Sequence, residues 1–106
     1  MQNLWDDYCE KIHATAKAKG FWDGPRNDGE MIALMHSELS ELLEALRDGN
    51  PPSKKIAEFS AAEEEIADLI IRALDMCGGR GWRVGQAIDA KMKYNAWREY
   101  KHGREF

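Results

Sequence analysis

Hydrophobic residues recur every three or four positions in four stretches of this chain, a spacing that predicts four amphipathic helices. The first helix is predicted over about residues 3–19, and its apolar positions are Trp5, Tyr8, Cys9, Ile12 and Ala16. Gly20 ends this helix. Residues 20–28 contain two glycines and a proline, so we expect a loop there.

The second helix is predicted from Gly29 to Asp48, and Asn27 or Asp28 can cap its first turn. Its apolar stripe consists of Met31, Met35, Leu39, Leu42 and Leu46, with Ile32 and Leu43 beside it. Such a stripe is expected to face the core of a bundle. The Gly-Asn-Pro-Pro run at residues 49–52 ends the helix, because proline cannot continue it.

The third helix begins at a capping box, in which Ser60 and Glu63 stand three residues apart. Its apolar face consists of Ile66, Leu69, Ile70, Ala73, Leu74 and Cys77. Gly78 and Gly79 are predicted to close the helix, because two adjacent glycines disfavour helical backbone.

A fourth helix is predicted from about Val84 to Trp97 or Arg98, and a short basic and aromatic tail follows it to Phe106. No segment shows the alternation of a strand. The expected fold class is therefore all-α, a four-helix-bundle-like fold formed by residues 1–106 as one domain. A chain of 106 residues with such wide apolar stripes is expected to form oligomers.

The charge balance and the cysteines restrict the possible function classes. The chain has 15 basic and 19 acidic residues and a formal net charge of -4, which disfavours binding to a nucleic-acid polymer. Cys9 and Cys77 lack the spacing of a disulfide framework and are predicted to be reduced. The first residues do not resemble a secretion signal, and no apolar run is long enough to cross a membrane. We therefore expect a cytoplasmic protein that does not bind membranes.

Two acidic pairs with helical spacing carry the candidate chemistry. Glu38 and Glu41 lie three residues apart on the second helix, and Glu65 and Asp68 repeat that spacing on the third. Residues three apart share one helix face, so two packed helices can bring four carboxylates into one small volume. Carboxylate oxygens suit Mg²⁺ or Mn²⁺, and Mg²⁺ usually shares its remaining positions with water and substrate phosphates. The pairs therefore suggest a phosphate ester or anhydride as substrate.

The position of each carboxylate around its helix predicts how deeply its side chain is buried. Glu38 borders the apolar stripe of the second helix, and Glu65 borders the apolar face of the third. The first member of each pair is therefore expected to be the more buried one. In the alternative interpretation both pairs lie on solvated helix faces, and Asp68 forms an ordinary surface ion pair with Arg72.

The fourth helix changes from apolar to polar along one face. Its apolar part consists of Val84, Ala87 and Ile88, and the same face continues with Lys91, Tyr94, Asn95 and Arg98. If this half faces a polar cavity, Lys91 and Arg98 can bind phosphate oxygens and Asn95 can form hydrogen bonds. In the alternative interpretation the bundle ends here and these side chains reach water.

The ordered set of motifs resembles that of the MazG-like all-α nucleoside triphosphate pyrophosphohydrolases, which are related to the dimeric dUTPases and phosphoribosyl-ATP pyrophosphohydrolases. That family carries Glu-x-x-Glu, a spacer and Glu-x-x-Asp, which residues 38–41 and 65–68 match. A later Lys-x-x-x-Asn-x-x-Arg pattern is matched from Lys91 to Arg98. The resemblance covers nearly the whole chain. It implies hydrolysis of a (deoxy)nucleoside triphosphate to the monophosphate and pyrophosphate, as nucleotide-pool housekeeping.

The same resemblance implies roles for individual residues. Mg²⁺, or Mn²⁺ in its place, would be bound by the catalytic carboxylates Glu38, Glu41, Glu65 and Asp68. The substrate phosphates would be bound by Lys91, Asn95 and Arg98, with Tyr94 contacting sugar or phosphate. The metal would activate a water that attacks between the α- and β-phosphates, and one carboxylate could instead serve as general base. Because the family usually builds its sites between subunits, a homotetramer of paired dimers, or a dimer, is implied.

Aromatic residues near the start of the chain are candidates for base recognition. Trp22 in the first loop and His13 on the first helix could form a wall on which a base stacks. Trp5 and Trp82 are further candidates, although core packing is the preferred interpretation for Trp5. For Trp22 the two interpretations are equally open.

Two other functions are compatible with helices rich in glutamate. A di-iron bundle would use Glu-x-x-His spacing, which occurs at residues 10–13 and 99–102. The helix phase argues against it, because Glu10 falls opposite the apolar stripe of its helix and could not point into an iron cage. A non-enzymatic interaction module would use the apolar stripes only to bind partners.

Overall fold

The computed structural model describes residues 3–98, which form four helices. The helices are α1 (Leu4–Ala18), α2 (Asp28–Arg47), α3 (Ala61–Arg80) and α4 (Val84–Ala96). Within this range there is no strand, only an isolated bridge between Pro52 and Ser60, so the all-α prediction is confirmed. α3 packs against both α2 and α1, and α4 packs against α1. No helix in the described range is both long and apolar enough to cross a membrane.

Polar side chains cap the first three helices at the positions that local sequence chemistry favours. Asn3 caps α1, and the side chain of Asn27 accepts a hydrogen bond from the backbone N–H of Glu30 at the start of α2. At the start of α3, Ser60 and Glu63 form the predicted capping box in both directions. These caps satisfy backbone N–H groups that the first helical turn leaves without partners.

The predicted end of the third helix at Gly78 and Gly79 is wrong. α3 continues through both glycines, and the left-handed Gly81, with φ of 71°, caps its end instead. The helix tolerates the two glycines because other side chains pack directly on its backbone there. A Cβ at Gly78 would lie 2.7 Å from the Cβ of His13, and a Cβ at Gly79 would overlap the indole of Trp22. Both glycines therefore serve close packing rather than helix termination.

The hydrophobic core is small, and it overlaps the predicted stripe of α2 only in part, because Met31 is buried and Leu39 and Leu46 are exposed. The buried hydrophobic residues among those described are Cys9, Met31, Ala45, Leu74 and Met76. The inward face of α2 carries Met31, Glu38 and Ala45, which are seven residues apart. Leu39 and Leu46, predicted to face the core, are 45% and 54% exposed. The apolar surface of α2 is wider than the part that α3 covers, so its outer side stays exposed.

We expect Gly79→Ala to lower the free energy of unfolding by roughly 1–3 kcal/mol, because the added methyl group overlaps Trp22. This loss should outweigh the helix propensity of alanine, which favours the variant by about 1 kcal/mol. Urea denaturation measures the difference. Gly24→Ala is the control, since nothing lies within 4 Å of its Cβ position. A Gly79→Ala protein as stable as the wild type would show that the indole does not require the glycine.

Candidate functional site

A cavity of about 910 Å³ lies among α1, α2, α3 and the loops on either side of α2. Its acidic lining residues are Glu38, Glu41, Glu64, Glu65, Asp68 and Asp75. Its basic lining residues are Lys11, Lys19, Arg26, Lys54, Lys55 and Arg72. All four carboxylates of the two predicted pairs therefore line the same cavity. Positive side chains surround them on the same chain.

Three of these carboxylates form a close cluster. Glu38, Glu65 and Asp68 each place one oxygen within 4.8 Å of the others. Glu38 is only 6% exposed whereas Glu41 is exposed, which confirms the predicted difference on α2. On α3 the expected difference is not observed, because Glu65 and Asp68 are both half-buried. The carboxylate cluster, meaning Glu38, Glu65 and Asp68, thus has Glu41 at its open side.

The electrostatics of the carboxylate cluster favour a bound cation. Burial is the largest cause that raises the pKa of Glu65, and together with the neighbouring carboxylates of Glu41 and Glu38 it brings that pKa to about 7. Burial and the nearby Glu38 also raise the pKa of Asp68. One oxygen of Glu38 and one of Glu65 are buried and have no hydrogen-bond partner among the described residues. Buried carboxylate oxygens without donors are suited to a hard cation such as Mg²⁺.

Among residues 3–98, Arg72 is the basic residue that forms an ion pair with this cluster. Its Nε donates a hydrogen bond of 2.9 Å to Oε1 of Glu38, the oxygen that is not orphaned. The sequence offered Asp68 as its partner on the same helix, but the side chain instead reaches across to α2. This contact fixes the orientation of Glu38 and leaves Oε2 free to bind a ligand.

Asp75 is a site residue that the sequence analysis missed. Although it lines the cavity, it is only 8% exposed. Its carboxylate accepts hydrogen bonds from Nδ1 of His13 at 2.9 Å and Nε1 of Trp22 at 3.0 Å, and Arg26 lies 3.4 Å away. One signal was available, because Asp75 follows Arg72 by three positions on the helix face that carries Asp68.

His13 and Trp22, predicted to contact the base, are engaged with this Asp75 network. Their rings meet edge to face at 4.9 Å, and Arg26 and Arg80 lie over the Trp22 ring at 5.0 and 5.8 Å. Within residues 3–98 neither His13 nor Trp22 lines the cavity. The apolar lining instead includes Ile12, Ala16, Phe21 and Ile71. The other two candidates, Trp5 and Trp82, are exposed.

The polar residues predicted for the fourth helix do not line the cavity that contains the carboxylates of the same chain. The predicted phosphate-binding set, Lys91, Tyr94, Asn95 and Arg98, is exposed throughout. Lys91 Nζ lies 4.6 Å and Arg98 Cζ 5.6 Å from the centre of the Tyr94 ring, so two cations contact one aromatic ring. No residue of α4 lines the cavity. The helix ends at Ala96, slightly before the predicted Trp97 or Arg98.

The geometry gives no support to a di-iron cage. Glu10 is exposed, and His13 uses Nδ1 to contact Asp75 rather than a metal site. The second Glu-x-x-His pair, Glu99 and His102, lies outside the described residues.

The two cysteines are free thiols as predicted, with Cys9 buried and Cys77 half-buried.

Glu65 should make the stability of metal-free protein depend on pH. Its carboxyl has a pKa of about 7 when folded, against 4.5 as an ordinary value, so the folded state binds more protons between these pH values. The free energy of unfolding should therefore fall as the pH rises from about 4.5 to about 7. Glu65→Gln should flatten this slope, as measured by urea unfolding in EDTA, whereas the exposed Glu44→Gln should retain it. Equal slopes in wild type and Glu65→Gln would contradict the prediction.

Comparisons with known proteins do not assign a function to this chain. No protein-family model, curated protein or solved structure matches the chain. The features of this chain that bear on its function are the carboxylate cluster, its orphaned oxygens and the charged residues around them.

Proposed function

We propose that this protein is a Mg²⁺-dependent nucleoside triphosphate pyrophosphohydrolase of the MazG-like type, which converts a (deoxy)nucleoside triphosphate and water to the monophosphate and pyrophosphate. One observation carries the proposal. Two helices place four carboxylates in one cavity, and two buried oxygens of that group have no partner among the described residues. Such a group is stable in its ionised form only beside cations.

The remaining lining of the cavity suits a nucleotide. Its volume of about 910 Å³ lies in the range of small-molecule sites. Basic side chains can bind phosphate oxygens, and the apolar wall that includes Ile12 and Phe21 offers a surface for a base. Acidic, basic and apolar side chains thus line one cavity. This combination favours a substrate that contains both a metal-bound polyphosphate and an aromatic group.

The cluster residues have distinct parts in the proposed reaction. Glu38, Glu65 and Asp68 would hold Mg²⁺, or Mn²⁺ in its place, while Arg72 keeps the Glu38 carboxylate oriented. Bound there, the ion would neutralise phosphate charge and lower the pKa of the attacking water. Glu41 lies at the open side, where it can complete the ligand set or accept a proton from water. The water oxygen bonds to the α-phosphorus, and pyrophosphate leaves with the electrons of the broken P–O bond.

We propose further that a second copy of the chain completes the site. Lys91 on α4 and Arg98 just beyond its end carry exposed positive charges, and neither lines the cavity of its own chain. α2 also exposes Ile32, Leu39, Leu43 and Leu46, and α3 exposes Ile66 and Ile70. A dimer, or a tetramer of two dimers, would cover such apolar residues and could bring α4 of one copy to the cavity of another.

The same exposed apolar residues favour one alternative function, a non-enzymatic module that binds another protein. In that case the carboxylate cluster would be structural. A panel of canonical and modified (d)NTPs with Mg²⁺, assayed for pyrophosphate, distinguishes the two functions. Absence of hydrolysis across the panel would favour the binding module.

Removal of one carboxylate charge should abolish pyrophosphate release. We expect Glu38→Gln and Asp68→Asn each to lower kcat/KM more than about 100-fold, because ligands of the ion are lost while side-chain volume is kept. Glu44→Gln is the matched control, since Glu44 is exposed on the same helix and pairs only with Arg47. Near-wild-type activity in Glu38→Gln or Asp68→Asn would refute the assignment of the metal site.

Lys91→Ala should weaken nucleotide binding and leave the melting temperature unchanged, because the side chain is exposed on α4. A large loss of melting temperature would show that Lys91 is structural.

If sites lie between two copies, coexpression of Lys91→Ala with Glu38→Gln should restore about a quarter of wild-type activity in a dimer. Half of the dimers are then mixed, and each mixed dimer carries one intact site out of two. Failure to restore activity would place each site within one chain.

A further inference from the structure

The loop between α2 and α3 is built around a buried serine. Ser53 is only 3% exposed. Its hydroxyl donates a hydrogen bond to the carboxylate of Glu64 and accepts hydrogen bonds from the backbone N–H groups of Lys55 and Ile56, at 3.2 and 3.1 Å. A single buried hydroxyl thus fixes the backbone of the two residues that follow Lys54.

Further hydrogen bonds join this loop to the start of α3. The backbone N–H of Ser53 donates to the carbonyl of Phe59 at 2.8 Å, and that of Ala61 donates to Pro51 at 2.7 Å. The side chain of Asn50 accepts from the backbone N–H of Ala62 at 2.8 Å. The loop is therefore an ordered wall of the cavity, and its position depends on the helix that carries Glu65 and Asp68.

Two lysines follow Ser53 and both line the cavity. The ammonium group of Lys55 lies near enough to Asp68 to act against the rise in the pKa of that carboxyl. Ala61 and Asp75 are the first and last residues of α3 that line the cavity, and Glu64, near the first of them, binds the loop. Fourteen positions separate Ala61 from Asp75, a distance of about 21 Å along a helix axis. One end of the cavity therefore carries the lysines, and the other carries Asp75.

We propose that Lys54 and Lys55 bind the β- and γ-phosphates of the substrate and hold the pyrophosphate as it leaves. The inference rests on the proposed function. Lysine ammonium groups are point charges that suit terminal phosphate oxygens, and negative charge grows on the leaving pyrophosphate as the bond breaks. The carboxylate cluster then lies at the α-phosphorus, and the nucleoside extends toward Ile12, Ala16 and Phe21.

This orientation agrees with cleavage between the α- and β-phosphates. The reaction centre must lie between the leaving pyrophosphate and the nucleoside, and the cluster residues Glu65 and Asp68 lie between Glu64 and Asp75 along α3. Basic side chains line the cavity on both sides, because Lys11, Lys19 and Arg26 accompany Ile12 and Phe21. Arg26 is already paired with Asp75, whereas Lys54 and Lys55 lie on the loop that Ser53 fixes to α3. We therefore place the terminal phosphates at Lys54 and Lys55 and the aromatic base beside Ile12 and Phe21.

The test is calorimetric titration of inorganic pyrophosphate with Mg²⁺, and separately of the four deoxynucleoside monophosphates, into wild type and Lys54→Gln/Lys55→Gln. We expect pyrophosphate to bind about 100-fold more weakly to the double variant, or tenfold per lysine, with monophosphate binding unchanged. Lys17→Gln/Lys93→Gln is the matched control, because it removes the same charge. Both lysines are exposed, and neither lines the cavity. All four target side chains are exposed, so folding should be retained.

Each outcome separates this inference from the proposed reaction. Equal pyrophosphate affinity in wild type and Lys54→Gln/Lys55→Gln, or an equal loss in the control, would overturn the role of the two lysines even if the wild type hydrolyses nucleotides. Pyrophosphate that does not bind to wild type would overturn it as well. If wild type hydrolyses nothing but binds pyrophosphate through these lysines, the inference stands and the proposed reaction fails.

Discussion

Mutual repulsion among the carboxylates in the cavity is the constraint on which the rest of this structure depends. Glu38 occupies an inward position of α2 between Met31 and Ala45, where an apolar residue would ordinarily pack. A buried carboxylate at such a position costs stability unless a charge of opposite sign compensates it. Arg72 compensates one oxygen of Glu38, while one buried oxygen of Glu38 and one of Glu65 have no hydrogen-bond partner among the described residues.

The polar face of α3 organises the site around that constraint. Along this face, Glu64 binds the loop before α3 through Ser53, Arg72 binds α2 through Glu38, and Asp75 binds α1 and the first loop. Each contact joins the same helix to a different neighbouring element. The two cluster residues of α3 therefore lie on a helix that several polar contacts hold in place. Such support is what a preorganised binding site requires.

Sequence patterns were sufficient where the physical cause is local. The capping box at Ser60 and the helical spacing depend on neighbours along the chain, and both predictions are confirmed. Gly79 was misread because its role is set by the indole of Trp22, which lies 57 positions earlier in the chain. Asp75 was missed for the same reason, since its partners belong to α1 and the first loop. The spacing of one helix shows which face a residue occupies but not which distant segment it contacts.

The width of the apolar stripe on α2 presents a different problem for sequence analysis. Periodicity shows that Leu39 and Leu43 share a face, but it cannot show whether the same chain or a second copy covers that face. In this structure α3 packs against α2, where Met31 and Ala45 are buried, while Leu39 and Leu43 stay 45% and 49% exposed. In the proposed oligomer, burial of the outer side would stabilise the fold and position α4 in the same step. Stability and nucleotide binding would then depend on one contact between copies.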